Sequence, residues 1–165
     1  MREVRIEKIV LSISSTADEL EKGFKLLERI TGKKAVKRKS RKRIPTLGVR
    51  PGLEVGCMVT LRGKKAEELL RRLFAAADNK IKEKQIAQNM MAFGVKEYIE
   101  IPGMQYQRDI GILGFDVSVV FSRKGKRVER RKIKKSKISK KQHVSKEEIS
   151  QYLKNKFGIT ILSRK

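Results

Sequence analysis

The chain has 165 residues, enough for one domain with a sizeable core, and its 42 lysines and arginines against 18 acids give a net charge of +24. Such a charge opposes compaction unless a polyanion is near, so nucleic acid is the expected partner and an anionic membrane is the rival. A single cysteine and a single histidine exclude a disulfide framework and a cysteine-based zinc site. The charged N-terminus and the absence of a long apolar run predict a soluble, reducing compartment and no membrane partner.

The positive charge is concentrated in two segments. Residues 33–43 and 123–146 hold 21 of the 42 cations, whereas the other residues carry 21 cations and 17 acids. We therefore predict an ordinary single domain over residues 1–165, with basic loops at 33–54 and 123–144.

Alternation of apolar and polar residues predicts four strands, over residues 4–14, 55–62, 92–101 and 115–122. In the first strand, Ile9, Leu11 and Ile13 are expected to face the core. The same reasoning places Val55, Cys57, Val59 and Leu61, and later Phe115, Val117, Val119 and Phe121, on the inner face.

Apolar spacing of three and four residues predicts three helices, over residues 16–31, 64–78 and 146–157. Capping-box spacings mark two of their starts: Thr16 with Glu19 (or Ser15 with Asp18), and Ser145 with Glu148. The inward residues are predicted to be Leu20, Phe24, Leu27 and Thr31; Leu69, Leu70, Leu73, Phe74 and Ala77; and Ile149, Tyr152, Leu153 and Phe157.

The stretch between the first helix and the second strand is the most distinctive. Residues 33–43 contain eight cations and no acid, and a loop with Pro45, Gly48, Pro51 and Gly52 follows. Prolines and glycines restrict or bend the backbone, so the loop is predicted to be a shaped finger that holds cations against phosphate. A solvated basic loop or a nuclear-import signal is the alternative.

The second basic segment has too little apolar surface to bury alone, so we expect it to be disordered without a partner. Neither basic segment contains an aromatic residue, which favours contacts to phosphate and to helical RNA shape over base stacking.

These elements indicate an α+β fold: an antiparallel-rich, open-faced sheet with helices packed on one face and basic loops extending from it. Small or polar residues on the other face would permit close approach of a sugar-phosphate backbone. A plain solvated face is the alternative. The candidates for this face are Ser12, Ser14, Gly56, Thr60, Arg62 and Ser118.

Catalytic and cofactor motifs are missing from the sequence. There is no GxxxxGK[ST], HExxH or GxSxG pattern, and one histidine makes base–nucleophile constellations hard to assemble. We therefore predict no enzyme activity, no cofactor and no metal site. Arg62–Glu68 places a glycine before a helix, which could bind one phosphate or be a simple turn.

Five stretches carry a family resemblance. They are IEKIVLSIS at 6–14, ITGKKAVKRKSRKRIPTLGVRPG at 30–52, VTLRGKKAEELL at 59–70, FGVKEYIEIPGMQYQRDIGILGFDVSVVF at 93–121 and HVSKEE at 143–148. In this order they resemble the universal large-subunit ribosomal protein five family, in its archaeal and eukaryotic form.

The resemblance implies a structural, non-catalytic role in the central protuberance of the large subunit. The implied partners are 5S rRNA, large-subunit rRNA, neighbouring ribosomal proteins of the protuberance and the peptidyl-site tRNA. It implies a cytoplasmic ribosome, with passage through the nucleus and nucleolus if the source is eukaryotic.

The family also implies particular contacts. Its 5S rRNA contacts fall at the end of the first strand, at the turn after the first helix and at the VTLRG strand, and its tRNA contact falls in the loop at 44–53. Together with the basic run, the rRNA-binding residues are then Ser12, Ser14, Gly32, Lys33, Lys34, Lys37, Arg38, Lys39, Arg41, Thr60, Arg62 and Gly63. The tRNA-contact loop contributes Arg43, Thr46, Gly48 and Arg50.

Two other functions compete with this one. The first is a free-standing basic regulator that binds nucleic acid through non-specific phosphate contacts, and the second is an RNA-modifying enzyme, for which the sequence offers neither a base nor a cofactor cradle.

Overall fold

A computed structural model describes residues 2–15 and 18–162 of the chain. It is an α+β structure, as the sequence predicts. Its strands are β1 (Val4–Ile13), β2 (Val36–Lys39), β3 (Glu54–Leu61), β4 (Lys80–Lys82), β5 (Ile86–Ala87), β6 (Met90–Val95), β7 (Phe115–Arg123) and β8 (Thr160–Leu162). Its helices are α1 (Asp18–Thr31), α2 (Lys64–Ala76), the short α3 (Arg127–Arg130) and α4 (Lys146–Phe157).

Six strands form one mostly antiparallel sheet in the order β2-β3-β1-β7-β6-β5. β2 runs antiparallel to β3, with Lys37 opposite Cys57 and Arg38 opposite Gly56. A separate two-stranded sheet pairs β4 with β8 in parallel.

The chain divides into two compact units. The terminal unit comprises Met1–Ile9, Arg62–Phe93 and Ser118–Lys165, and the middle unit comprises Val10–Leu61 and Gly94–Val117. The single domain predicted over residues 1–165 stays a prediction.

The core of the middle unit lies beneath α1, which packs on β3. Alternation predicts the strand faces correctly: Leu11 and Ile13 of β1 are buried, as are Cys57, Val59 and Leu61 of β3. Burial also raises the pKa of the Cys57 thiol, which is consistent with a core residue.

The core of the terminal unit is built on α2 and α4. Leu69, Leu70, Leu73 and Phe74 of α2 are buried as predicted, whereas Ala77 is half-buried and lies just beyond the helix. Phe74 stacks on Phe93 at 5.3 Å and meets the edge of Phe157 at the same distance.

The capping box predicted for α4 is confirmed. The Ser145 hydroxyl accepts from the Glu148 N–H, the Glu148 carboxylate accepts from the Ser145 N–H, and Gly158 ends the helix in the left-handed conformation. The box predicted at Thr16 lies outside the described residues. The Ser15 hydroxyl has no hydrogen-bond partner among the residues that the structure describes.

Several predicted boundaries are wrong. Residues 33–54 are more ordered than a loop, because 36–39 form β2. The strand predicted over 92–101 covers only 90–95 and is followed by a 3-10 turn at Tyr98–Glu100.

The buried face of α1 differs in part from the predicted one. In α1, Phe24 is only half-buried, and Leu26 and Ile30 are buried beside Leu20 and Leu27.

The prediction that Gly56 lies on the open face of the sheet is wrong, because the residue is buried. A Cβ at this position would lie 2.9 Å from the Ile13 carbonyl oxygen. Only glycine therefore allows β3 to approach the end of β1 this closely.

Gly56→Ala should destabilise the protein by about 1–3 kcal/mol, because the added carbon meets a backbone atom that cannot rotate away. Gly94→Ala is the matched control in the same unit, since its Cβ would lie 3.5 Å from Asp116 Oδ1, an ordinary contact. Urea denaturation measures both variants. Equal midpoints for the two would show that β3 has room for a side chain at residue 56.

Candidate nucleic-acid interface

The end of β1 presents hydroxyl groups on the side away from the core. Ser12 is half-buried and Ser14 is exposed, while Leu11 and Ile13, between and beside them, are buried. A surface of small hydroxyl side chains lets a nucleic-acid backbone approach closely and offers it hydrogen-bond donors.

The turn after α1 is built by Thr31 and Gly32. Gly32 takes a φ of +62° and donates its N–H to the Glu28 carbonyl at 2.7 Å, which ends the helix. The Thr31 hydroxyl donates to the Leu27 carbonyl at 2.7 Å and accepts from the Lys33 N–H at 3.3 Å. The turn leaves Lys33 and Lys34 exposed.

β2 is an edge strand in which three of the four residues are cations. Val36, Lys37, Arg38 and Lys39 are all exposed, so the strand presents positive side chains on both of its faces. Lys37 Nζ lies 2.9 Å from Glu54 Oε2, and this hydrogen bond raises the pKa of Lys37. Arg38 reaches over to Met58 Sδ at 3.4 Å.

The loop that follows β2 is closed by backbone hydrogen bonds. Ser40 donates its N–H to the Leu53 carbonyl and accepts from the Gly52 N–H, while Ile44 and Val49 exchange both of theirs at 2.9 and 3.1 Å. A 3-10 turn at Pro45–Leu47 forms the tip. The loop is therefore a shaped finger.

The finger is stabilised from within by one buried side chain, Val49, while Leu47 at the tip is 70% exposed. Gly48 closes the 3-10 turn at a φ of +64°. The four predicted tRNA-contact residues, Arg43, Thr46, Gly48 and Arg50, are all exposed on it.

Residues 33–53 carry nine cations and no acid. Within the described part of the chain, Lys37 is the one member of this set in an ion pair, and the other eight charges are uncompensated. All nine side chains are exposed, Arg41 among them. Such a surface attracts a phosphate backbone strongly.

Thr60 and Arg62 come at the end of β3, where Thr60 is half-buried and Arg62 is exposed. Gly63 follows with a φ of +72°, and its carbonyl accepts from the Ala66 N–H at 3.1 Å at the start of α2. The structure assigns Thr60 to the middle unit and Arg62 and Gly63 to the terminal unit.

The second basic segment is anchored by acids and an amide that sequence reasoning missed. Glu7 binds Lys126 Nζ at 3.0 Å and the Arg130 guanidinium, and Glu148 binds Arg123. The Asn89 amide accepts from the Val144 N–H at 2.7 Å and contacts His143 Nδ1 at 2.7 Å. Of these anchors, only Glu148 could be picked out from the local sequence, through its capping-box spacing with Ser145. The disorder expected for the segment at 123–144 without a partner stays a prediction.

No helix in residues 2–15 or 18–162 is both long and apolar enough to cross a membrane. The same residues contain no group of three or more histidine, cysteine or acidic side chains placed to hold a metal ion.

Comparison with known proteins places the chain among ribosomal proteins. Residues 1–50 match the family model described as ribosomal protein L5, and residues 54–152 match the model of the C-terminus of that ribosomal family. The chain is 42% identical to large ribosomal subunit protein uL5 of Nanoarchaeum equitans, covering 98% of each chain. It is 41% identical to uL5 of Sulfurisphaera tokodaii, over 98% of this chain and 94% of the relative.

Proposed function

The chain belongs to the ribosomal protein L5 family and is a structural, non-catalytic constituent of the large ribosomal subunit; from this premise we propose that it binds 5S rRNA in the central protuberance and contacts the peptidyl-site tRNA through the finger at 44–53. Family membership decides between the ribosomal hypothesis and both competitors, the free-standing regulator and the RNA-modifying enzyme. The chain is part of the ribosome, with rRNA as the partner typical of its family.

The eight cations of residues 33–53 that have no ion pair among the described residues support this proposal most directly. Neutralising phosphates with lysine and arginine releases condensed counterions, which supplies a large share of the affinity and makes it steeply salt-dependent. The exposed side chains of β2 are available for such contacts, because their strand lies at the edge of the sheet.

The hydroxyls of Ser12, Ser14 and Thr60 and the turn at Gly32–Lys33 supply the second part of the proposed 5S site. Neutral hydrogen-bonding groups fix the position and orientation of the RNA, whereas the cations supply attraction. Arg62 contributes a further cation, and Gly63 immediately precedes α2. Neighbouring proteins of the protuberance are proposed partners on the same family grounds.

The finger supports the tRNA contact by its shape. Its frame of backbone hydrogen bonds holds Arg43 and Arg50 on an ordered loop, so fewer degrees of freedom are lost when it binds. A cytoplasmic ribosome is the proposed location, and a nucleolar stage applies only to a eukaryotic source.

Arg62→Ala and Thr60→Val should each weaken 5S rRNA binding by about 1–3 kcal/mol while leaving the fold intact, because neither side chain is fully buried and each would lose one RNA contact. Filter binding across a salt series measures this. The log–log slope of the wild type should be several units negative and approach about −10 if both basic segments bind.

Lys22→Ala is the matched control, since Lys22 is an exposed cation of α1 outside the proposed contact. A slope near −1 or −2 would contradict binding through the basic segments. Loss of the circular-dichroism signal in either variant would show that the residue belongs to the core.

Deleting Thr46–Arg50 should lower the affinity of purified ribosomes for peptidyl-site tRNA, because the tip and its cation are removed. Binding of 5S rRNA and subunit assembly should persist, since the strands are untouched. Filter binding of that tRNA to wild-type and variant ribosomes measures the effect.

Arg50→Ala serves as the milder companion, since it keeps Val49 and the bridge to Ile44 and should show a smaller loss in the same direction. Unchanged tRNA affinity in both variants, or a deletion that abolishes 5S binding, would show that the two contacts are misplaced.

A further inference from the structure

A cleft of about 360 Å³ lies in the middle unit, where the end of β1, the start of β7 and the end of β6 adjoin. Its volume exceeds that of a water, about 30 Å³, and falls within the range of small-molecule sites, about 300–1,000 Å³. Ser12 and Ser14 line it and belong to the 5S rRNA surface proposed above. Gly94, Lys96 and Asp116 also line it and belong to no surface assigned so far.

Two glycines leave the Asp116 carboxylate uncovered. Asp116 is exposed between two buried residues of β7, so its side chain points away from the core. A Cβ at Gly94 would lie 3.5 Å from Asp116 Oδ1, so the carboxylate lies over a residue that has no side chain. A Cβ at Gly114 would lie 2.5 Å from the Lys96 carbonyl oxygen, so only glycine lets the chain enter β7 this close to the end of β6.

The Asp116 carboxylate has no partner within residues 2–15 and 18–162. It forms neither an ion pair nor a hydrogen bond there, although Lys96 lines the same cleft. Glu19, the other acid of the cleft, lies in the first turn of α1, where the helix dipole favours a negative charge. The negative charge of Asp116 has no such compensation, so its acceptor atoms are available to a ligand.

A free carboxylate weakens a surface that binds phosphate, because like charges repel. It contributes to RNA binding only where it accepts hydrogen bonds, and the donors of RNA are base N–H groups and 2′-hydroxyls. The two oxygens of a carboxylate match two adjacent N–H donors. Among the four bases, guanine alone carries such a pair on its Watson–Crick edge, N1–H and N2–H₂. A duplex uses both donors in pairing, so only an unpaired guanine can offer them.

We propose that this cleft, the Asp116 cleft, binds one unpaired guanine of 5S rRNA, whose N1–H and N2–H₂ donate to the Asp116 carboxylate. Lys96 supplies a cation for a flanking phosphate, and the hydroxyls of Ser12 and Ser14 donate to or accept from the ribose. This contact rests on the proposed function, because it extends the 5S surface: phosphate contacts attract and position the RNA, and Asp116 selects the base.

Asp116→Asn tests this contact by the direction of its effect. The substitution removes a negative charge and keeps the shape, so an acid that is only solvated would leave the affinity for 5S rRNA unchanged or raise it. An acid that accepts from guanine becomes an amide whose NH₂ group faces the guanine donors, so binding should weaken about tenfold or more. Filter binding measures the change, and unchanged or tighter binding would overturn the proposal.

Asp109→Asn is the matched control, since Asp109 is an exposed acid of the same unit that does not line the cleft. It should leave the affinity for 5S rRNA unchanged or raise it, and a loss equal to that of Asp116→Asn would overturn the base contact. The thermal midpoint of Asp116→Asn should match the wild type, because the carboxylate makes no bond within the described chain. A lowered midpoint would assign Asp116 a structural role instead.

The salt dependence separates the base contact from the phosphate contact. Asp116→Asn should lower the affinity at every salt concentration and leave the log–log slope unchanged, because a base contact releases no counterions. Lys96→Ala should make the slope shallower by about one unit. A slope that changes equally in both variants would show that Asp116 acts only through its charge, which contradicts the base contact.

Replacing guanosine by inosine tests the RNA side with the wild-type protein. Inosine lacks the exocyclic amino group, so one of the two donors is lost. Among 5S rRNAs that carry the replacement at one unpaired guanosine at a time, one should bind about fivefold or more weakly. At that position Asp116→Asn should add little further loss, because the contact is already broken.

7-Deazaguanosine at the sensitive position is the control for this replacement. It alters the opposite edge of the base and keeps N1–H and N2–H₂, so binding should match that of unmodified 5S rRNA. The guanine assignment is overturned if no position is sensitive to inosine, or if the inosine and Asp116→Asn losses simply add.

Failure of the proposed function and failure of the cleft give different results. If Arg62→Ala and Thr60→Val weaken 5S binding and Asp116→Asn does not, the 5S surface stands and the guanine contact is wrong. If that pair leaves binding intact while Asp116→Asn and inosine weaken it, the guanine contact stands and the assignment of Thr60 and Arg62 is wrong. If the wild type has no measurable affinity for 5S rRNA, both are wrong.

Discussion

Repulsion among the cations of residues 33–53 is the constraint that shapes the middle unit. Nine positive charges lie there without one acid, and every one of their side chains is exposed. Extended backbone in β2 turns successive side chains to opposite faces, which spreads neighbouring charges. The Lys37–Glu54 pair adds little stability, because both side chains are 38% exposed and screened by water. A surface with this much uncompensated charge is what the proposed contact with rRNA requires.

In the terminal unit, a few acids form ion pairs with the cations of the basic segment at 123–144 and anchor it. Glu7 has a side chain only 8% exposed and pairs with two cations, since a buried carboxylate is costly without partners. The hydrogen bond from the Ser145 N–H, followed by the smaller effect of that from Arg123, lowers the pKa of the Glu148 carboxyl below its usual value of 4.5. The stabilisation from Glu148 is therefore present at neutral pH and is lost as the pH falls through that lowered pKa.

Local patterns predict most of what depends on neighbours in sequence. Alternation identifies the buried faces of β1, β3 and β7, and the Ser145–Glu148 spacing identifies the start of α4. In α1, Leu20 and Leu27 are buried as predicted, and Gly23 lies against the sheet as well: a Cβ there would meet Ile13 Cγ2 at 3.0 Å. Phe24, the next residue, is only half-buried, whereas Ile30 is buried.

What the sequence could not predict depends on partners distant along the chain. β2 exists because β3 offers it a ladder, and β4 and β8 pair across most of the terminal unit. The composition of residues 33–43 predicts the basic run of the candidate site, and the prolines and glycines that follow predict the finger. The anchors were not: Glu7 meets Lys126 119 positions later, and Asn89 meets Val144 55 positions later.

The two basic segments therefore differ in what they lose on binding. The segment at 33–53 is held by a strand ladder and a closed finger, so its cations are already in place and little backbone entropy remains to be lost. The segment at 123–144 has one helical turn of four residues and one 3-10 turn at Lys140–Gln142, and it is held at a few ionic and amide anchors. On the proposed function, RNA binding would have to order more of the backbone of this second segment, which would lower the affinity gained per contact. For each phosphate neutralised, the two segments should thus give similar salt dependence but unequal free energy of binding.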